Sequence, residues 1–195
     1  PLVETINHFQ RTLKMLKTYM GLVELVERGV IRGSDHSLVN GASIDIRLGG
    51  TVLEETLPLT TCPVCAKRCV HRDTPRGAPY RPRIGMDELF DCLGCEQAWE
   101  YRQVVSPVDP SAKEPLAMKE TPIPEEGFIL YPGCSVLAES MEKFFLPNTI
   151  AAEYKLKSSM ARVFLEHLNA GWCDPGWNGS VLTMEMRNET RFHPI

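Results

Sequence analysis

Two short cysteine pairs constrain this chain of 195 residues more than any other feature. Cys62-Pro63-Val64-Cys65 and Cys92-Leu93-Gly94-Cys95 each hold two thiols at the spacing that lets both sulfurs reach one ion from a single tight turn. Two such turns complete a tetrahedral site of four thiolates, the pattern of a structural zinc centre. The spacing therefore predicts Zn2+ bound by Cys62, Cys65, Cys92 and Cys95, with Cys69 and His71 as nearby donors able to replace one ligand. A catalytic zinc of the deaminase kind needs a His-x-Glu box, then Pro-Cys-x-x-Cys, and an open position for water. No His in this chain has Glu two positions later, and four thiolates leave water no place. The zinc is thus expected to hold structure. Seven cysteines are an odd number, and no basic N-region precedes an apolar stretch, so a disulfide framework is not expected and the cytoplasm is the natural compartment.

Charge narrows the partners. A net charge of -4 makes nonspecific nucleic-acid binding a poor default, although a small anionic ligand needs only a local cluster of cations. Arg68, Arg72, Arg76, Arg81 and Arg83 lie between the cysteine pairs. They read first as a solvated basic loop, and a protein or nucleic-acid contact there stays open. No run of 18 apolar residues is present, so no membrane span is expected.

Apolar residues at steps of three or four, Leu2, Ile6, Phe9, Leu13, Leu16 and Met20, predict a helix over residues 1–20. Gly21 reads as a break, and Leu22 to Arg28 as a second short helix stopped by Gly29. Ala42 to Leu48 alternates and predicts a strand. Further strands are expected at Phe128–Tyr131, Ser135–Ala138, Arg162–Leu168 and Val181–Arg187. Short strands with turn signals argue a mainly β protein with a helical start. The organisation expected is helices and a first strand over 1–50, a zinc-binding insertion over 51–103, and the rest of the β core over 104–195.

The densest polar cluster lies between Lys157 and Asn188. Lys157-Ser158-Ser159 offers a cation and two hydroxyls, with Arg162 following, a set able to hold phosphate oxygens. Asp174-Pro175-Gly176-Trp177 is a tight turn, and Glu185 on the next strand is a plausible general base. From spacing alone, each of these is equally ordinary turn or strand chemistry.

Several motifs together resemble the dCTP deaminase and dUTPase superfamily. Gly41-Ala42-Ser43-Ile44-Asp45-Ile46-Arg47-Leu48-Gly49 is similar to the first signature of dCTP deaminases. Pro124 to Gly133 is similar to the strand and turn after their central loop, and Leu146-Pro147 to the pair before their active-site segment. Lys157-Ser158-Ser159-Met160-Ala161-Arg162 resembles the family's Arg-Ser-Ser-x-Ala/Gly-Arg, with lysine in the first place. Ala170 to Gly179 resembles its next box, and Glu185 to Asn188 the strand after it.

The resemblance implies a distorted dUTPase-like β-barrel, assembled as a homotrimer with active sites between subunits, into which the zinc-ribbon-like module is inserted. It implies deamination of dCTP to dUTP without zinc chemistry. Glu185 would activate the water, Ser158, Arg162 and the backbone of Ala170 would orient it, and Lys157 and Ser159 would contact a triphosphate carrying Mg2+. Ala170-Gly171-Trp172 before Asp174 resembles the bifunctional branch, in which Asp174 would position a second water and the product would be dUMP. A relative that binds nucleotide without turnover is the remaining alternative.

Overall fold

The computed structural model describes residues 16–56, 58–73, 85–112 and 116–195. The helix expected over residues 1–20 falls mostly outside them. The first described helix is α1, Tyr19–Glu27, and Gly21 lies inside it instead of breaking it. A single glycine costs a helix only about 1 kcal/mol, and burial of Val23 and Leu25 offsets that. The helix ends where expected, with Gly29 in the left-handed region at φ 67°.

Strands dominate the rest: β1 (Ile31–Arg32), β2 (Leu48–Glu55), β3 (Cys69–His71), β4 (Leu89–Cys92), β5 (Ala98–Glu100), β6 (Met118–Pro122), β7 (Ser135–Phe145), β8 (Ala152–Glu153), β9 (Leu165–Glu166), β10 (Trp172–Cys173) and β11 (Asn178–Asn188). Two four-residue helices, α2 (Tyr101–Val104) and α3 (Ser158–Ala161), lie between them. Hydrogen bonding orders the main sheet β6-β2-β7-β11-β9, with β1 also on β7. The fold is mainly β, and its described sheets stay open and do not close into a barrel. By contact density the chain divides into two units, and β2, β7 and β11 have residues in both.

The first unit comprises Pro1–Gly50, Ala138–Lys155 and Ala170–Met184. Its core includes Leu25, Ile31, Phe144, Leu146 and Leu182, and Phe144 stacks on Trp177 with ring centroids 5.6 Å apart. Along β7, burial alternates, and two of the inward positions are Ser140 and Glu142. Glu142 is fully buried. It accepts from Arg47 Nε at 2.8 Å and from the Arg47 backbone N–H at 2.9 Å. Ser140 Oγ donates to the Glu142 carbonyl at 2.7 Å and accepts from Leu182 N–H at 2.9 Å. Removing one partner of a buried ion pair strands the other charge, at about 3–5 kcal/mol. Arg47→Met should therefore destabilise the protein by about 3 kcal/mol in urea titration, more than Glu142→Gln does. A loss under about 1 kcal/mol would show that the pair contributes little.

The second unit comprises Thr51–Leu137, Leu156–Asn169 and Glu185–Ile195. Here β2 and β6 pair antiparallel from Thr51↔Pro122 to Glu55↔Met118. Thr56 closes the ladder, donating through both its backbone N–H and its Oγ1 to the Ala117 carbonyl, at 2.7 and 2.9 Å. The cysteine-rich segment thus leaves and rejoins the sheet at adjacent points. At the other end of this unit, the Asn188 side chain is wholly buried and donates to the carbonyls of Leu130 and His193. Leu130 and Ile195 exchange both backbone hydrogen bonds.

Candidate metal centre and active site

Within the cysteine-rich segment, β3, β4 and β5 form an antiparallel sheet with Cys69 opposite Cys92 and Phe90 opposite Trp99. Its core is small: Cys62, Cys69, Phe90, Cys92 and Val104, flanked by Cys65, Cys95, Trp99 and Tyr101. Phe90 stacks on Tyr101 at 5.1 Å. The two cysteine turns repeat one geometry. Cys62 N–H donates to the Lys67 carbonyl at 2.8 Å, and Cys92 N–H to the Gln97 carbonyl at 2.9 Å. The residue after each second cysteine, Ala66 or Glu96, is left-handed at φ 57° or 59°.

These turns bring the four sulfurs of Cys62, Cys65, Cys92 and Cys95 within 4.8 Å of one another. The cross-turn separations are 3.7 Å for Cys62–Cys95 and 3.3 Å for Cys65–Cys92. A tetrahedral ion with sulfur ligands at about 2.3 Å sets sulfurs roughly 3.8 Å apart, so the cluster fits such an ion. The Cys92 thiol is held down to about 6, chiefly by the Cys95 N–H, with the Gly94 N–H adding to it against burial. That favours the thiolate a metal needs. The two spare donors are placed elsewhere. Cys69 is outside the cluster and its thiol is pushed up to about 11, first by burial and then by the neighbouring thiolates. His71 Nε2 pairs with Glu88.

The polar residues of the expected nucleotide site are divided between the two units. In the second unit, Lys157 is the extended residue before α3, and Lys157, Ser158, Ser159 and Arg162 are all exposed along one turn. The Arg162 N–H donates to the Ser158 carbonyl at 3.0 Å. Phe164, Leu168 and Asn169 follow in left-handed conformations. Glu185, on β11, is half-buried, and its Oε2 is closed off from solvent with no hydrogen-bond partner among the described residues. A closed-off carboxylate oxygen without a donor is costly.

In the first unit, Ala170 is exposed at the start of the segment leading into β10. Asp174 follows β10 and accepts from the Trp172 indole N–H at 2.9 Å. The sequence reading missed this bond and the Arg47–Glu142 pair. A tryptophan two residues before an aspartate was the available signal for the first. No sequence signal separated Glu142 from an outward-facing strand glutamate. Among the described residues, no helix is long and apolar enough to cross a membrane.

Comparison with known proteins places the chain in a family. A family profile described as dCTP deaminase-like matches residues 93–195. A "dCTP deaminase, dUMP-forming" of Methanospirillum hungatei is 37% identical over 112 residues, 56% of this chain and 60% of that one. One of the same name from Thermobifida fusca is 43% identical over 83 residues, 42% of each chain. The chain thus spans less than two thirds of the length of these relatives. Among solved structures, the 2'-deoxycytidine 5'-triphosphate deaminase of Agrobacterium tumefaciens shares the fold with a TM-score of 0.52 at 16% identity, over 92% of this chain and 43% of that one. The chain belongs to the dCTP deaminase-like family, within the dCTP deaminase and dUTPase superfamily.

Proposed function

We propose that the protein deaminates dCTP and carries the product on to dUMP. The observation that carries the chemistry is the half-buried Glu185 on β11, whose Oε2 has no hydrogen-bond partner among the described residues. The names of the dUMP-forming relatives favour this product over the dUTP expected from the motifs. In the first step Glu185 takes a proton from water as its oxygen attacks C4 of cytosine. The C–N bond then breaks, and the proton leaves with ammonia. Such a shuttle works best when a hydroxyl and a guanidinium are brought to the same substrate atoms as the carboxylate. Ser158, Arg162 and the Ala170 backbone orient the water and the amino group. Lys157 and Ser159 hold the triphosphate, which brings Mg2+ with it. Asp174 then positions the water for the second hydrolysis. The assembly is the homotrimer implied by the motifs. Zn2+ at Cys62, Cys65, Cys92 and Cys95 holds the β3–β5 module together and takes no part in either reaction.

The test is chromatography of dCTP incubated with the protein and magnesium, on material whose light scattering corresponds to three chains. The expected products are ammonia, pyrophosphate and dUMP, without accumulation of dUTP. Accumulating dUTP would return the protein to the monofunctional reading. Unchanged dCTP, bound but not consumed, would make it a binding relative.

A further inference from the structure

We infer that Trp172 is a positioning residue for Asp174 in the step from dUTP to dUMP, fixing which carboxylate oxygen meets the attacking water. The inference rests on the dUMP-forming reading and deepens it. An indole N–H is a donor only, and the Trp172 Nε1 donates to Asp174 Oδ1 at 2.9 Å. Trp172 is 65% exposed, so its ring is not held by the core. Its backbone, in contrast, is fixed on both sides. In β10, Trp172 pairs with Glu153 and Cys173 with Ala152. Gly171 admits no side chain, since a Cβ there would lie 2.3 Å from the Tyr154 carbonyl oxygen. The Tyr154 N–H donates to the Gly171 carbonyl at 2.7 Å.

Beyond Asp174 the chain is equally constrained. The Trp177 N–H donates to the Asp174 carbonyl at 3.1 Å, closing a turn whose Gly176 sits at φ 82°. A Cβ on Gly176 would come within 2.4 Å of Asn148 Oδ1. Cys173 is buried between the two exposed residues, so Trp172 and Asp174 emerge on the same side, as alternate residues of an extended segment do. The aspartate backbone is therefore set by the strand and turn, and its remaining freedom is rotation of the carboxylate. The indole removes that freedom by occupying Oδ1, which leaves Oδ2 for a water.

The step balances as a hydrolysis. The oxygen of water forms a bond to the α-phosphorus, and the bond from that phosphorus to the α–β bridging oxygen breaks. The electron pair leaves on pyrophosphate, and the water proton passes through Asp174 to solvent. A carboxylate rotated out of line would orient the water poorly without weakening nucleotide binding.

The experiment compares the unmodified protein with Trp172→Phe, which keeps an aromatic body and removes the donor. Replacement of Trp172 by benzothienylalanine, which keeps the bicyclic shape with sulfur in place of N–H, is the second arm. Both should lower kcat for dUTP cleavage by about tenfold or more, the worth of one hydrogen bond to a charged group. KM for dUTP should hold, ammonia release from dCTP should continue, and free dUTP should build up. A ring-fluorinated tryptophan at the same position keeps the N–H and should restore dUMP formation. Equal dUTP cleavage by the benzothienylalanine protein would overturn the inference alone. An unmodified protein that stops at dUTP would overturn the dUMP-forming reading and the inference with it.

Discussion

Glu185→Gln should slow ammonia release from dCTP by roughly a hundredfold or more, the usual worth of a positioned general base, while nucleotide binding persists. The substitution keeps the shape of the side chain and replaces the oxygen that has no donor with an amide that cannot take a proton. Binding should hold because, in the proposed reaction, triphosphate contact is assigned to Lys157 and Ser159, on a different segment. Calorimetric titration with a non-hydrolysable dCTP analogue, beside an ammonia assay, separates the two effects. Deamination at the unmutated rate would remove Glu185 from the reaction. Attention would then pass to the neighbouring strand positions, because a register shift of one residue reverses which side chains face the pocket.

The second large effect concerns the four-cysteine cluster. Purified, reduced protein should contain about one zinc per chain, as one four-thiolate site requires. Its removal by a strong chelator should unfold the segment that contains β3, β4 and β5. The small core around Phe90 and Val104 cannot supply much stability by itself, whereas structural zinc contributes about 10–16 kcal/mol of apparent binding energy in small modules. Trp99 is half-buried against this core, so its fluorescence should shift to the red on chelation. Cys62→Ser and Cys95→Ser should each lose the metal, and Cys69→Ser, outside the cluster, should keep it. Zinc retained by a Cys62→Ser, Cys95→Ser double variant would place the metal elsewhere.

The four-cysteine cluster was the most legible part of the sequence, because the spacing of two cysteines on one turn is local. The strands were legible only where burial followed hydrophobicity. Ser135–Ala138 was expected as a short strand, and β7 in fact runs on to Phe145. The alternation fails to the eye because Ser140 and Glu142 occupy inward positions, and their burial depends on partners far away in sequence. Ala42–Leu48 shows the opposite error. It alternates, yet β2 begins only at Leu48, and the preceding stretch carries a single isolated bridge, Val39↔Ile44. Its Arg47 accepts from the Met141 N–H at 2.9 Å but sends its own N–H and its guanidinium to the Glu142 side chain. Arg162–Leu168 likewise shrinks to Leu165–Glu166, flanked by left-handed Phe164 and Leu168. The residues proposed for catalysis came from motif order, not from periodicity, since a reactive carboxylate and an outward-facing one look alike along a strand.

The Thr56–Ala117 closure has a thermodynamic consequence. When the segment between them melts, the ladder of β2 and β6 experiences only a slack loop tied off at its mouth. The entropy of closing a loop rises with the logarithm of its length, about 0.6 kcal/mol for each doubling. Registration of Thr51–Glu55 against Met118–Pro122 should therefore hardly register the state of the chain beyond it. Hydrogen exchange should show two populations of amides. Those of β3, β4 and β5 should open more as free metal falls, and those of β2 and β6 should open at a rate indifferent to it. Metal scarcity would then act on this molecule as a local dimmer, with the sheet beneath it left intact.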